Sequence, residues 1–472
     1  MQYQDPQWQQ QMKIRLDVSN MMRDVLGDRG IRKEELDEPR FAIAARQLRQ
    51  KQGQIQLQFQ QLPLGQEDVV EQILDVAQKV RDKFETFVVL GIGGSALGPI
   101  AVHQALKHLH YNELPAEKRG GPRFYVEDNV DPVRMQALLD VIDPATTCFN
   151  VITKSGKTSE TMAQLLIVAE LLKQRGISLK DNVIATTDRE NGNLIKIAKE
   201  EGLTTFFIPE GVGGRFTELC PVGLLAAAVC GIDIKELLAG AAFMQSCLQS
   251  DSVWENMAYL DGALQYICAQ KGVNVSVMMP YADSLRYMAD WYAQLWAESL
   301  GKQYDVDGNH VHVGQTPVKS LGVTDQHSQV QLYTEGPFDK VVTLIGVDRY
   351  GAEVSIPHGF ADTPDVAFLG GHTMNELIQA EQFATAYALN RAGRLNKTIT
   401  LPEINPFTIG QLLYMLEQET AYMGELLRIN AFDQPGVEEG KNATYALLGK
   451  NGFAQKKAEM DAAPKPKAEY QL

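Results

Sequence analysis

The chain has 472 residues, 44% of them hydrophobic and 22% charged, which suits two or three soluble domains with a sizeable buried core. A formal net charge of −15 argues against a general nucleic-acid binder, whose footprint is basic, and leaves room for a local basic site that holds an anionic metabolite. No apolar run approaches the roughly 20 residues that cross a bilayer, the N-terminus lacks the basic and apolar regions of a signal peptide, and five cysteines (Cys148, Cys220, Cys230, Cys247, Cys268) form no CxxC pair, so a cytoplasmic, membrane-free protein with reduced thiols is expected.

In chain order, residues 1–64 are rich in Gln, Arg and Glu and predict a helical preface, broken at Gly27-Asp28-Arg29-Gly30. In the Gln-dense run from Gln47 to Gln61, Ile55, Leu57 and Phe59 alternate with Gln, the pattern of either an extended segment packed on a domain or low complexity. From residue 65 the pattern changes. A helix over 69–84 leads to a strand over 87–90 and the turn Gly91-Ile92-Gly93-Gly94-Ser95. Strands then begin at Phe124, at Phe149 and at Asn182, with helices between them. This alternation predicts a doubly wound parallel sheet, whose ligands sit at the carboxyl ends of the strands near a topological switch point. An apolar helical region over 224–242 precedes a second alternation: a strand over 273–279, a helix over 284–300, a strand over 340–345, and helices to about 427. The expected fold class is α/β, with parallel sheets flanked by helices. Its parts are a preface (1–64), a first half (65–225), a second half with a C-terminal arm (226–445), and a tail (446–472) carrying Pro464-Lys465-Pro466-Lys467.

The chemistry gathers at strand ends. Thr153-Lys154-Ser155-Gly156-Lys157-Thr158-Ser159-Glu160-Thr161 reads as strand end, hydroxyl-rich loop and helix start. A helix N-terminus carries orphan N–H donors and partial positive charge, so this loop suits a phosphate monoester. The same residues also read as an ordinary cap, with Thr158 or Ser159 at the N-cap and Glu160 in the first turn. Gly91-Ile92-Gly93-Gly94-Ser95-Ala96 satisfies the dinucleotide fingerprint G-x-G-x-x-A, but the acidic residue expected about 20 positions on is missing; Glu127 and Asp128 lie well beyond it. Ser95 at a helix start fits a phosphate or sugar hydroxyl better.

Arg215, after Gly213-Gly214, can hold an oxyanion or be a surface arginine. Gln294 and Glu298 stand four apart among Trp291, Tyr292 and Trp296, where a glutamate in a partly dry aromatic setting suits a general base, or pairs with Lys302 as a plain polar face. His327, in Thr324-Asp325-Gln326-His327-Ser328, is a candidate proton shuttle against a satisfied loop histidine. His310 and His312 share a strand face, but no carboxylate–histidine follow-up accompanies them, so no metal site is expected.

Six motifs in order give the chain its resemblance to phosphoglucose isomerases of the bacterial type. They are Gly91-Ile92-Gly93-Gly94-Ser95, the Thr153–Thr161 stretch, Gly213-Gly214-Arg215-Phe216-Thr217, Glu298-Ser299-Leu300-Gly301-Lys302, Asp325-Gln326-His327, and Phe432-Asp433-Gln434-Pro435-Gly436-Val437-Glu438-Glu439-Gly440-Lys441. Departures are Glu218, where the family usually has a small or apolar residue, and Pro435, where an aromatic is common. The resemblance implies two sugar-isomerase (SIS-type) domains, an interdigitated homodimer, and interconversion of glucose 6-phosphate and fructose 6-phosphate in glycolysis and gluconeogenesis through a cis-enediol(ate), with no cofactor. It implies Glu298 as the base, Arg215 as the oxyanion's partner, and His327 and Lys441 as the ring openers. Gln294 and Gln434 then position the sugar, and Gly94, Ser95, Thr153, Lys154, Ser155 and Thr158 hold the phosphate. The alternatives are a non-catalytic sugar-phosphate-binding module, a dinucleotide-dependent enzyme, and a metal-dependent isomerase using His310 and His312.

Overall fold

The computed structural model describes all 472 residues and carries two five-stranded sheets and a small two-stranded one. The N-terminal segment gives a short strand, β1 (Arg15–Asp17), and a helix, α1 (Pro39–Gln50), then a 3₁₀ turn (Ile55–Gln61) and α2 (Glu67–Lys83). The first sheet follows as β2 (Thr86–Leu90), α3 (Leu97–Leu106), β3 (Arg123–Glu127), β4 (Thr147–Ile152), α4 (Ser159–Gln174), β5 (Val183–Thr187) and β6 (Thr204–Phe207). All its strand pairs are parallel, in the order β3-β2-β4-β5-β6. Every residue of β2, β4 and β5 is buried, because crossover helices cover both faces of a parallel sheet.

Three helices, α5 (Pro221–Val229), α6 (Ile234–Cys247) and α7 (Met257–Gln270), lead to the second sheet. Its elements are β7 (Val275–Pro280), α8 (Arg286–Leu300), a hairpin of β8 (Lys302–Tyr304) and β9 (His310–Val313), then β10 (Thr316–Lys319), β11 (Lys340–Arg349), α9 (Met374–Arg391) and β12 (Asn396–Glu403). The order is β1-β12-β11-β7-β10, parallel except for β1, which pairs antiparallel to β12. The chain continues through α10 (Pro406–Leu427), begun by an Asn405–Thr408 capping box, and α11 (Glu438–Leu447). Almost every residue of α10 is buried, so this helix forms the centre of the core. It meets α6 backbone to backbone: a Cβ at Gly410 would overlap the Leu237 carbonyl, and one at Gly240 the Phe407 carbonyl. No helix is long and apolar enough to cross a membrane.

The structure departs from the sequence reading in four places. The preface is not purely helical, since β1 extends the second sheet. The Gln-dense run ends α1 and then forms the 3₁₀ turn Ile55–Gln61 rather than an extended segment; Leu57 and Phe59 are buried, and Gln60 donates to Gln418 at 3.2 Å. The region expected to be helical up to about 427 contains β12, whose alternating Thr398-Ile399-Thr400-Leu401 sits beside a fully buried lysine, Lys397. Within the tail, Ala454–Ala462 forms a helix of exposed and half-buried residues.

The core buries several ionisable groups. Lys397 bonds to Asp261 on α7, which satisfies a charge that would otherwise stand unpaired in the core. Glu218 and Glu417 are fully buried, and no protein group hydrogen-bonds to either carboxyl. Burial pushes both well above the ordinary carboxylate range, and Glu218 adds to the effect on Glu417. The folded state therefore keeps protons that the unfolded chain releases above its ordinary value of 4.5, so stability falls as pH rises past that point. Glu218→Gln keeps the shape and removes the titration. Its melting temperature is expected to exceed that of the parent at pH 8, by roughly 2–4 °C for each kcal/mol relieved, with the gap closing towards pH 4. Thermal unfolding of both proteins across that range checks this, and a gap independent of pH contradicts it.

Candidate functional site

In the first sheet, β3 lies on one side of β2 and β4 on the other, so the chain changes direction there and opens a crevice at the carboxyl ends of the strands. Both sequence-predicted loops empty into this crevice. After β2, Gly93–Ser95 forms a 3₁₀ turn into α3. Gly93 has φ +59°, which an L side chain rarely adopts, and its Cβ would lie 2.9 Å from the Gln294 amide nitrogen. A Cβ at Gly94 would overlap the Gly214 carbonyl, so the turn can lie against the Gly213–Thr217 loop only as glycine. The Thr217 hydroxyl closes that contact, donating to the Gly214 carbonyl at 2.7 Å and the Gly94 carbonyl at 3.3 Å.

After β4, Thr158 takes the N-cap position of α4, but its hydroxyl makes no cap bond. It pairs instead with the Thr153 hydroxyl at 3.0 Å, leaving the N–H groups of the first helical turn without a side-chain cap. A plain cap predicts the opposite, so this geometry favours an anion cradle. The loop is braced: Gly156 N–H donates to Thr153 Oγ1 at 3.3 Å, Lys157 N–H to Ser155 Oγ at 3.2 Å, and Asn193 Nδ2 to the Gly156 carbonyl at 2.9 Å. Lys154 Nζ donates to the Val212 carbonyl at 3.0 Å, which ties this loop to the arginine loop.

Arg215 is 3% exposed and joins its own loop to two others, the end of α8 and the segment after α10. Its Nε donates to Ser299 Oγ at 2.7 Å, Nη1 to Gln434 Oε1 at 3.1 Å, and Nη2 to the carbonyls of Ala431 at 2.5 Å and Asp433 at 3.1 Å. The Glu298 carboxylate stands 3.6 Å from Nη1 and accepts from Gln294 Nε2 at 3.0 Å. Burial lowers the guanidinium's pKa, while Glu298 and Asp433 raise it, and a guanidinium stays charged under all these pressures. Beneath the arginine, Phe59, Phe216 and Phe432 pack ring to ring, with centroids 4.7 Å, 5.6 Å and 6.3 Å apart.

The dry aromatic setting expected for Glu298 is not what surrounds it. Trp291, Tyr292 and Trp296 lie on the buried face of α8, and Glu298 is on the crevice face with its side chain 27% exposed. Lys302 does not pair with the Glu298 carboxylate either; it bonds the backbone carbonyls of Glu298 and Ser299. Lys441 lies on α11 beside Glu438 at 2.8 Å. One turn further, Tyr445 donates to the Lys157 carbonyl at 3.0 Å, so the face of α11 that carries Lys441 is turned to the hydroxyl loop. His327 is apart: it is exposed in the turn Thr324–His327 and makes no hydrogen bond to Arg215, Glu298, Gln434 or Lys441.

Glu127 and Asp128, the acidic residues weighed for a dinucleotide, are both engaged by Arg134, at 3.4 Å and 2.5 Å. His310 and His312 sit on β9 with ring centroids 5.8 Å apart, and no group of three or more His, Cys, Asp or Glu side chains is gathered to hold a metal ion. Sequence reasoning missed Ser299, Asp433 and Lys302 as parts of the site. Each stands next to or within a motif it did single out, but Ser299 acts through its hydroxyl on Arg215, and Asp433 and Lys302 through backbone carbonyls, contacts that spacing does not encode.

A family model described as phosphoglucose isomerase matches residues 76–465. The glucose-6-phosphate isomerase of Carboxydothermus hydrogenoformans is 55% identical over 452 residues, 95% of this chain and 97% of that one. That of Rubrobacter xylanophilus is 46% identical over 401 residues, 84% and 90% of the two chains. Among solved structures, a hypothetical protein of Thermus thermophilus superposes with a TM-score of 0.82 at 36% identity, covering 93% of this chain and 100% of that one. The glucose-6-phosphate isomerase of Chlamydia trachomatis has a TM-score of 0.72 at 24% identity over 84% of this chain and 76% of that one, a likeness of fold.

Proposed function

The chain belongs to the phosphoglucose isomerase family and interconverts glucose 6-phosphate and fructose 6-phosphate, a step of glycolysis and gluconeogenesis, and we propose that Glu298 is the base of this reaction, working through a cis-enediol(ate). The observation that carries the reading is the convergence of one carboxylate, one buried guanidinium and two amides (Gln294, Gln434) beside an uncapped helix start lined with hydroxyls. Ser95, Thr153, Ser155 and Thr158, the N–H groups of Gly94 and of the start of α4, and the charge of Lys154 hold the phosphate. Binding energy from this unreactive end aligns C1 and C2 beside the carboxylate.

Lys441 and His327 open the ring, one protonating the ring oxygen while the other accepts the C1 hydroxyl proton. Glu298 then takes the proton from C2 of the open aldose and returns it to C1, while the O2 proton passes to O1. Negative charge that develops on O1 and O2 faces Arg215 Nη1, the guanidinium nitrogen nearest the carboxylate. Gln294 and Gln434 fix the sugar's rotation. Each step moves protons only, so no redox cofactor or metal is called for.

The homodimer belongs to the same reading. His327 is exposed and bonds to none of the other reacting groups of its own chain, and Phe360, Phe368, Phe383 and Tyr387 leave large apolar side chains on the surface between 354 and 387. Exposed apolar groups gathered on one stretch suit an interface. A partner seated there brings its own His327 to this crevice and completes the site. Five free cysteines, four of them buried, support a reducing cytoplasmic setting. The proposed division into two sugar-isomerase domains, 65–225 and 226–445, is supported by the two sheets, the second of which also takes β1 from the preface.

Two measurements test these roles. Glu298→Gln is expected to lower kcat by roughly 100- to 10,000-fold, the usual share of an acid–base group, with KM for fructose 6-phosphate nearly unchanged. Lys154→Ala is expected to raise KM more than it lowers kcat; steady-state kinetics showing the reverse pattern moves Lys154 into the chemistry. For the dimer, Glu298→Gln and His327→Ala, each nearly inactive alone, are expected to regain activity when unfolded and refolded together. Mixed dimers then contain one site with both native groups. If mixing restores nothing, His327 serves its own chain or neither.

A further inference from the structure

Lys302 is a buried cation beside the site that the reaction as proposed does not use. It follows Gly301 at the end of α8, where the last carbonyls of a helix have no intrahelical partner. Its side chain is 6% exposed, and Nζ donates to the carbonyls of Glu298 at 2.8 Å and Ser299 at 2.9 Å. The remaining side of the ammonium faces Asp433 Oδ1 at 3.8 Å. Asp433 is itself held by Asn430, whose Nδ2 donates to Oδ2 at 2.7 Å, and by Arg215 through its carbonyl. The next residue is Gln434, bonded to Arg215.

We propose that Lys302 is a positioning residue for the isomerisation, a clamp that fixes the backbone of the base Glu298 and, through Asp433, the placement of Gln434 and the approach to the Lys441 helix. The inference rests on the roles given above to Glu298 and Gln434. The ammonium touches the main chain of the base on one side and the C-terminal segment on the other, so its loss frees both at once. The phosphate loops hang on different strands, β2 and β4, and are untouched by it. A misplacement of about 1 Å at the reacting carbons can cost about 100-fold in rate, so the effect falls on kcat rather than on the grip of the phosphate.

The charged groups that face Lys302 are Arg215, Asp433 and Glu298. Burial lowers its pKa to about 8, Arg215 adds to the lowering, and Asp433 and Glu298 oppose it. The clamp therefore weakens as pH rises through about 8, when the ammonium becomes an amine. Removing the Asp433 charge withdraws a group that holds the proton on, so the loss shifts to lower pH.

The test uses the full-length enzyme with fructose 6-phosphate across pH 6–10. Lys302→Met is expected to lower kcat about 100-fold, the cost of a small misalignment, with KM changed by less than about threefold. Asp433→Asn alters a half-exposed side chain and keeps the fold; its kcat is expected to fall off on the alkaline side at a lower pH than the parent. Lys302→Met with parental kcat, or with its loss confined to KM, overturns the proposal. If Lys302→Met does not fold, Asp433→Asn decides alone: an alkaline limb at the parental pH overturns it. Glu298→Gln, run alongside, separates the two readings. Activity in that variant removes the base, whereas an inactive Glu298→Gln beside parental Lys302→Met and Asp433→Asn removes only the clamp.

Discussion

A guanidinium taken almost wholly out of water must be met on nearly all its N–H groups, because an unpaired buried charge costs several kcal/mol. Arg215 is met by Ser299, Gln434, Ala431 and Asp433, with Glu298 alongside. Those partners come from the end of α8 and from the segment after α10. No arrangement of these segments that moves one of them by a few ångströms satisfies the charge. The requirement to pair Arg215 is therefore also what holds Glu298, Gln434 and the C-terminal arm together. The side of the guanidinium that remains, Nη1 towards Glu298, is the side that faces the crevice.

The end of the crevice proposed to take the phosphate is built by different means. The hydroxyl loop is pre-shaped by bonds among its own groups and by its lean on Asn193, and its helix start is left without a cap. Charge there comes from helix and lysine and needs no buried partner network. The groups proposed for grip and for chemistry thus lie on separate elements, joined where the Gly94 turn meets Gly214 and where Lys154 reaches Val212. This separation lets remote binding energy act on the reacting carbons without the two jobs competing for the same side chains.

Much of this was legible in the sequence. The apolar strands Phe87–Leu90 and Phe149–Ile152, each running into a loop of small or hydroxyl residues, announce a parallel sheet with its site at the strand ends. Other parts were hidden by the limits of local pattern. Lys397 near the start of β12 disguises a core strand, since the carboxylates that make its burial tolerable, Asp261 and Glu419, lie elsewhere in the chain. Phe59 looks like part of a Gln-rich run, yet it packs on Phe216 and Phe432 under the arginine, a contact between residues far apart in the chain. The tryptophans around Glu298 suggest a dry pocket by their spacing alone, and α8 turns them to the other side. Lys302 sits at the i+4 position that predicts a side-chain pair with Glu298, but the helix ends there, so its ammonium takes the free carbonyls instead.

The claim on which these roles depend is that a protein carboxylate carries the proton between C2 and C1. Glu298 is partly open to solvent, with its side chain 27% exposed, so a proton held on it can exchange before it is returned. The most direct measurement is to hold glucose 6-phosphate with the enzyme in deuterated water well past chemical equilibrium and follow deuterium at C1 of fructose 6-phosphate and C2 of glucose 6-phosphate by NMR. Progressive enrichment at both carbons, abolished in Glu298→Gln, is the expected result. Full interconversion with no deuterium entering either position after many passages through the site would contradict a proton-carrying base and point to direct transfer of hydrogen between the carbons.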